Sequence, residues 1–188
     1  MTGIPLRGAI VGTALFFLAS CGGGGGGDSI SPPSGIAASF VPEEPNPSAS
    51  TVAMAQASAA GDVVIVELRV TDTNGVYGAA FEVFFDSASV QYVNWSPGTL
   101  LEQGGNSPVY NVGLDPSDSG HLLVGASRTG NVPGADASGS RPLIRLAFRA
   151  RRAGSFPLSF SNAALFDAQN PPGSIAGISW FAGSVVGT

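Results

Sequence analysis

One cysteine, Cys21, and one histidine, His121, set narrow limits on the chemistry this chain can do. A serine–histidine–acid relay would have to run through His121, and zinc would lack the several nitrogen or sulfur ligands it needs. His121 follows "DPSDSG" at the head of a β-type run, where a polar residue at the start of a strand needs no catalytic role. Asp115 and Asp118 in that stretch bring two carboxylates close together, and calcium is satisfied by oxygen ligands alone. Their spacing does not follow the alternating EF-hand loop, however, and the closing glutamate is missing, so a tight turn is the reading. The six glycines Gly22–Gly27 lack the Lys-Ser/Thr that a phosphate-binding loop requires. No nucleophile or acid–base constellation can be assembled, and no cofactor is implied. The residues point to binding, not catalysis.

Cys21 has a different use. Ahead of it stands a short head carrying Arg7, then the apolar run "AIVGTALFFLA" from Ala9 to Ala19. A spanning helix needs roughly 20 apolar residues, so this run is too short to cross a bilayer and reads as the core of an export signal. Leu18-Ala19-Ser20-Cys21 resembles the lipobox of bacterial lipoproteins. That resemblance implies cleavage after residue 20 and a lipid thioether on Cys21, and two or more acyl chains make such an anchor durable. Gly22 is not the aspartate that signals inner-membrane retention, so the outer membrane or cell surface is the expected destination. With Cys21 so used, the remainder has no thiol for a disulfide or a metal cluster.

Residues 21–50 are expected to form a tether. They combine the glycine tract with "SPPSG" and "VPEEPNPSAS", a composition that buries too little apolar surface to offset chain entropy. Residues 51–188 then make one domain of ordinary size. Its charge is sparse: the chain is 11% charged, has a net charge of −5 and no lysine. Arg145, Arg149, Arg151 and Arg152 are the nearest thing to a basic patch, and they read as the outer face of a strand and the turn after it. Nucleic acid is therefore excluded as a partner.

Hydrophobicity in this domain repeats every two residues. In "VVIVELRVT", Val64, Val66, Leu68 and Val70 alternate with Ile65, Glu67, Arg69 and Thr71. Phe81, Val83 and Phe85 oppose Glu82 and Phe84, and Ile144, Leu146 and Phe148 oppose Arg145, Ala147 and Arg149. This is the pattern of half-buried strands. Further β-type runs occur at 52–57, 90–95, 109–114, 121–127, 156–160 and 178–186. They are punctuated by "DTNG", "SPG", "DPSDSG", "RTGNVPG", "RRAG" and "NPPG". "GNVPGADASGS" is expected to be a mobile connection. No amphipathic helical stripe is present, so the domain is predicted to be all-β, a sandwich of two antiparallel sheets built from about nine strands. Trp95, Trp180, Phe181, Tyr92 and Tyr110 offer sugar-stacking surfaces if exposed, although large aromatics in a sandwich serve first as core.

The order of these motifs resembles a known family. "VVIVELRV", "NGVYGAAFEVFFDSASVQYVNWSPGTLL", "GHLLVGASRTG" and "RPLIRLAFRARRAGSFPLSF" follow one another as in the cohesin domain of cellulosome scaffoldins and related bacterial surface proteins. The shared features are Phe85-Asp86 at the end of a strand, Pro97-Gly98 before Leu100-Leu101, and a strand from Leu143 to Phe148 followed by Gly154. The resemblance covers about 51–188. It implies a nine-stranded jelly roll that captures a dockerin-type module on one sheet face. Gly78, Ala80 and Glu82 would lie on that face, joined by Val124, Ser127 and Gly130 from a later strand and its loop. The strand that holds the first three carries Gly78-Ala79-Ala80 where many cellulosomal cohesins place polar residues. The chain is thus expected to be a lipid-anchored receptor, with polysaccharide as a further candidate ligand. Direct carbohydrate binding through aromatics, or a structural surface lipoprotein without a dedicated ligand, are the alternatives.

Overall fold

The structure, a computed structural model, describes residues 35–188. The expected export signal, Cys21 and the first part of the tether lie outside the described residues. Eleven strands follow in order: β1 (Ala38–Pro42), β2 (Thr51–Ala60), β3 (Val63–Val76), β4 (Gly78–Phe84), β5 (Val90–Pro97), β6 (Val109–Asp115), β7 (Asp118–Ser127), β8 (Ala135–Ala150), β9 (Gly154–Phe166), β10 (Ser179–Phe181) and β11 (Gly183–Gly187). They form a six-stranded sheet, β1-β11-β9-β4-β7-β6, and a five-stranded sheet, β10-β2-β3-β8-β5. Among the described residues no helix is long and apolar enough to cross a membrane.

The period-two pattern dictates the sandwich. Val64, Val66, Leu68 and Val70 on β3 and Ile144, Leu146 and Phe148 on β8 are fully buried. They pack toward Phe81, Val83, Leu122 and Leu165 of the other sheet within one core. Leu100 and Leu101, just beyond β5, are also fully buried and plug one end. Buried aliphatic side chains of this kind contribute about 1.5–3 kcal/mol each. Arg128 holds the plug in place. It is 6% exposed, and its Nη1 and Nη2 donate to the carbonyls of Leu101 and Gln103 at 2.9 and 2.7 Å.

The strands number eleven against the expected nine, because β1 forms and the run at 178–186 divides, and four expectations about particular segments need correction. The tether does not run unbroken to residue 50. Ala38–Pro42 pairs with β11, and Ala38 and Phe40 enter the core. The run at 178–186 divides at buried Ala182 into β10 and β11, which belong to different sheets. β10 lies parallel to β2, the one parallel pairing among the described residues. "DTNG" is no turn but a bulged continuation of β3, with Asp72 and Gly75 at φ 42° and 71°. The expected connection "GNVPGADASGS" is half strand: β8 begins at Ala135, and buried Ala135 and Ala137 pair with Val76 and Thr73.

Candidate binding face

The outer faces of the two sheets differ sharply. On the five-stranded sheet, Glu67 of β3 is only 4% exposed but sits between two arginines. Arg69 Nε donates to its Oε2 at 2.6 Å, and Arg145 Nη2 lies 2.8 Å from its Oε1. Arg149 pairs with Asp62 at 3.0 Å. Arg152 reaches Asp86 and Ser89, and Arg151 donates to the Ser87 carbonyl at 3.4 Å. The arginine cluster is therefore engaged within the protein. That sheet presents a charge-satisfied surface.

The six-stranded sheet presents the opposite. Along β4, Ala79, Phe81 and Val83 point inward, which turns Gly78, Ala80, Glu82 and Phe84 outward. Their partners on β7 are Ser127, Gly125, Leu123 and His121. β6 adds Val109 and Asn111, and Gly113 lies opposite Leu123. Because so many of these positions are glycine or alanine, the face is hollow. One depression of about 460 Å³ is lined by Gly78, Gly125, Ser127, Val109, Phe166 and Pro172, among others. A second, of about 490 Å³, lies between Ala80, Glu82, Gly113, Leu123 and Asn162. Asn111 and Gly125 border both, so the two form one groove. Val109 and Leu123, 60% and 40% exposed, stand at its sides. Exposed aliphatics beside a concave small-residue floor make this face the candidate contact surface.

A polar line closes one end. Asn162 sits at the β9 bulge with φ 48°, and its Nδ2 donates to Glu82 Oε1 at 3.0 Å. Glu82 Oε2 lies 3.3 Å from His121 Nε2, and His121 Nδ1 lies 3.4 Å from Asp115 Oδ2. The imidazole stacks on Phe84 with centroids 4.2 Å apart. The Ser117 hydroxyl and amide, which donate to Asp115, hold its carboxyl below the usual carboxylate range, with His121 adding to the effect. Asp118 accepts from the Gly120 amide at 2.8 Å. Both acids of "DPSDSG" thus serve the β6–β7 turn. Among the described residues no group of three or more His, Cys, Asp or Glu could hold a metal ion.

Of the residues expected on this face, Gly78, Ala80, Glu82 and Ser127 lie on it. Val124 does not. It pairs with Phe81, shares its inward direction and is 4% exposed. It lies three positions before Ser127, and an odd offset along a strand puts two side chains on opposite faces. Gly130 lies past the end of β7, off the groove floor, where its carbonyl accepts from Tyr77 Oη at 2.6 Å. Gly125, Asn111, Gly113 and Leu123 had not been singled out. Counting in twos from Ser127 would have found Gly125 and Leu123, but the two β6 residues depend on strand order.

The aromatics do not form an exposed platform. Trp180 packs between Phe81 and Phe160, with centroids 5.5 and 5.2 Å away, and Trp95 lies against Tyr110 at 5.1 Å. Tyr110 donates to the Leu143 carbonyl at 3.2 Å. Burial, helped by Glu102, pushes its phenol up to about 12.

The described residues form a two-sheet jelly roll with a shallow groove on one sheet. The Cohesin domain model matches residues 48–170, and the chain belongs to the cohesin domain family. No curated protein matches it. Among solved structures it is similar to the second type II cohesin module of the adaptor ScaA scaffoldin of Acetivibrio cellulolyticus. That match has TM-score 0.57 and 16% identity, covering 72% of this chain and 87% of that one. Type II cohesin A11 from Bacteroides cellulosolvens gives TM-score 0.57 and 16% identity, with 72% and 98% covered. A type II cohesin–X-dockerin complex from Acetivibrio cellulolyticus gives 0.56 and 15%, with 71% and 96% covered. These likenesses establish the fold.

Proposed function

We propose that this chain is a lipid-anchored receptor that holds a dockerin-type module of another protein in the groove of the six-stranded sheet. The observation that carries the reading is the groove itself: a floor of Gly78, Ala80, Gly113 and Gly125 walled by exposed aliphatics, on a member of the cohesin family. The outer face of the other sheet carries a smaller depression of about 390 Å³, lined by Ala53, Ala55, Arg69 and the segment from Pro42 to Pro47, beside charges paired within the protein. Related cohesin structures contain dockerin modules, as in the Acetivibrio complex, and others come from cellulosomes. An enzyme acting on polysaccharide is accordingly the partner class proposed here. The Leu18–Cys21 pattern supports anchoring through Cys21 at the outer membrane or cell surface.

Calorimetric titration of the chain against each dockerin-type module encoded by the same organism tests the binding. A saturable one-to-one complex is expected, and the absence of any binder refutes it. For the anchor, the mature N-terminal peptide should carry acyl chains on Cys21, and Cys21→Ser should move the protein out of the membrane fraction. Soluble, unacylated wild-type protein would refute the anchor alone.

A further inference from the structure

Each sheet ends in two outer strands, and three of these four are built against further pairing. β10 is three residues long, and β1 is five residues long and ends at Pro42. β5 carries a bulge between Tyr92 and Asn94 and ends at Pro97. Short length, proline and bulges are the devices that keep an edge from pairing. β6 lacks all three. From Val109 to Leu114 it runs in regular register with β7, without proline or charge, and among the described residues no strand lies on its far side. A row of backbone N–H and C=O groups therefore faces outward along it. The side chains beside this edge are apolar. Tyr110 and Val112 point inward and are only partly buried against the core. Leu114, on the same side of the strand, is 40% exposed, and Val93 at the β5 bulge is 38% exposed. Tyr92 and Leu114 help to line a depression of about 240 Å³ between β5 and β6.

We infer that the β6 edge pairs with the β6 edge of a second copy of this chain, antiparallel about a two-fold axis through Val112. The seven residues "VYNVGLD" are complementary to themselves in that register. Val112 meets Val112, and Tyr110 meets Leu114 twice, all on the inward side, where apolar cross-strand pairs stabilise a ribbon. On the groove side Asn111 meets Gly113, where a glycine leaves its side chain room. Asp115, the only charge on the strand, falls at opposite ends of the ribbon in the two copies, about 20 Å apart and beyond a Debye length. An unrelated extended peptide could use the same backbone groups, but this match of the strand to itself favours the second copy. Such a two-fold contact closes on itself and consumes the open edge. Its axis stands perpendicular to the sheet, so the two six-stranded sheets join into one with both grooves on the same face. A single strand edge is a small interface, and the dimer is accordingly a reversible one. The pairing does not depend on what occupies the groove.

Sedimentation of the full chain carrying Cys21→Ser, which removes its only thiol, tests the pairing across a range of concentrations. A monomer–dimer equilibrium is expected. Leu114→Lys should weaken it about tenfold or more, because it strikes two Tyr110–Leu114 pairs and places a charge on each edge. Cysteine substitution in the same background reads the register. Val112→Cys should give a disulfide-linked dimer under mild oxidation, since the two copies meet at that position within disulfide reach. Val109→Cys, although Val109 is 60% exposed, should not, because its counterpart lies at the other end of the ribbon. A dimer indifferent to Leu114→Lys, or one that cross-links through Val109→Cys and not through Val112→Cys, would overturn the proposal. So would a chain that stays monomeric up to about 1 mM, which would leave the edge to an extended segment of another protein.

Discussion

Gly125→Leu separates binding from folding in a single substitution. A Cβ built on Gly125 has Asn111 O as its nearest neighbour, at 3.9 Å, and the backbone is not in the left-handed region. The new side chain therefore projects into the groove without displacing protein atoms. Glycine inside a strand is destabilising by roughly 0.5–1 kcal/mol. Stability should hold or rise slightly, by no more than about 2–4 °C in Tm. Binding should fall. A leucine on the shared floor of both hollows displaces at least one apolar partner side chain, whose burial contributes about 1.5–3 kcal/mol. At 1.4 kcal/mol per tenfold, the dissociation constant should rise by about 10- to 150-fold. Calorimetry for affinity and a thermal melt for folding read the two effects separately. Gly78→Ala is the contrasting control. It lies on the same face, but its Cβ would come 2.8 Å from the Ala126 carbonyl, so it should lower Tm. A Gly125→Leu protein that melts normally and binds at wild-type strength would refute the groove as the contact surface.

Three further outcomes follow from the same structure. Val124→Ala removes buried methyl groups and should cost about 1–3 kcal/mol in denaturant unfolding, with affinity of the folded fraction unchanged; a selective loss of binding would contradict its inward placement. Glu67→Ala strips the carboxylate shared by Arg69 and Arg145 and should cost about 1–3 kcal/mol, less than a fully buried pair, because both arginines are a third or more exposed; an unchanged melt would show the network to be idle. Asp86 and Asp115 are held below the usual carboxylate range, led by the hydroxyls of Ser89 and Ser117. Their contribution is present above the unfolded carboxylate value near 4 and is lost as pH falls through the lower folded one. Unfolding between pH 5 and 2 should therefore be less pH-dependent in the Asp86→Asn, Asp115→Asn double variant, and an identical slope would refute this.

The strands that carry the core were legible because alternation survives wherever one face is buried. β3, β4 and β8 read directly from "VVIVELRVT", "AFEVFFD" and "PLIRLAFRA". β1 escaped because "ASFVP" offers only two core residues, Ala38 and Phe40, inside proline- and serine-rich sequence. The start of β8 escaped because Ala135 and Ala137 are too small to signal burial. Glu67 was expected outside and lies on the outer face, yet neighbouring arginines cover it, a relation between strands that no single run displays. The same limit applies to the groove. Gly78, Ala80 and Glu82 could be named from one strand, but the floor is completed by Gly125 of β7 and Gly113 of β6. Only the strand order brings these together.

The most direct test of the central claim is methyl and backbone NMR of the chain titrated with a bound dockerin-type module. Resonances of Ala80, Val109, Leu123 and Gly125 are expected to shift or broaden, while Ala55, Ile65 and Ala147 on the outer face of the five-stranded sheet stay fixed. Shifts confined to that second face, with the groove residues unmoved, would contradict it.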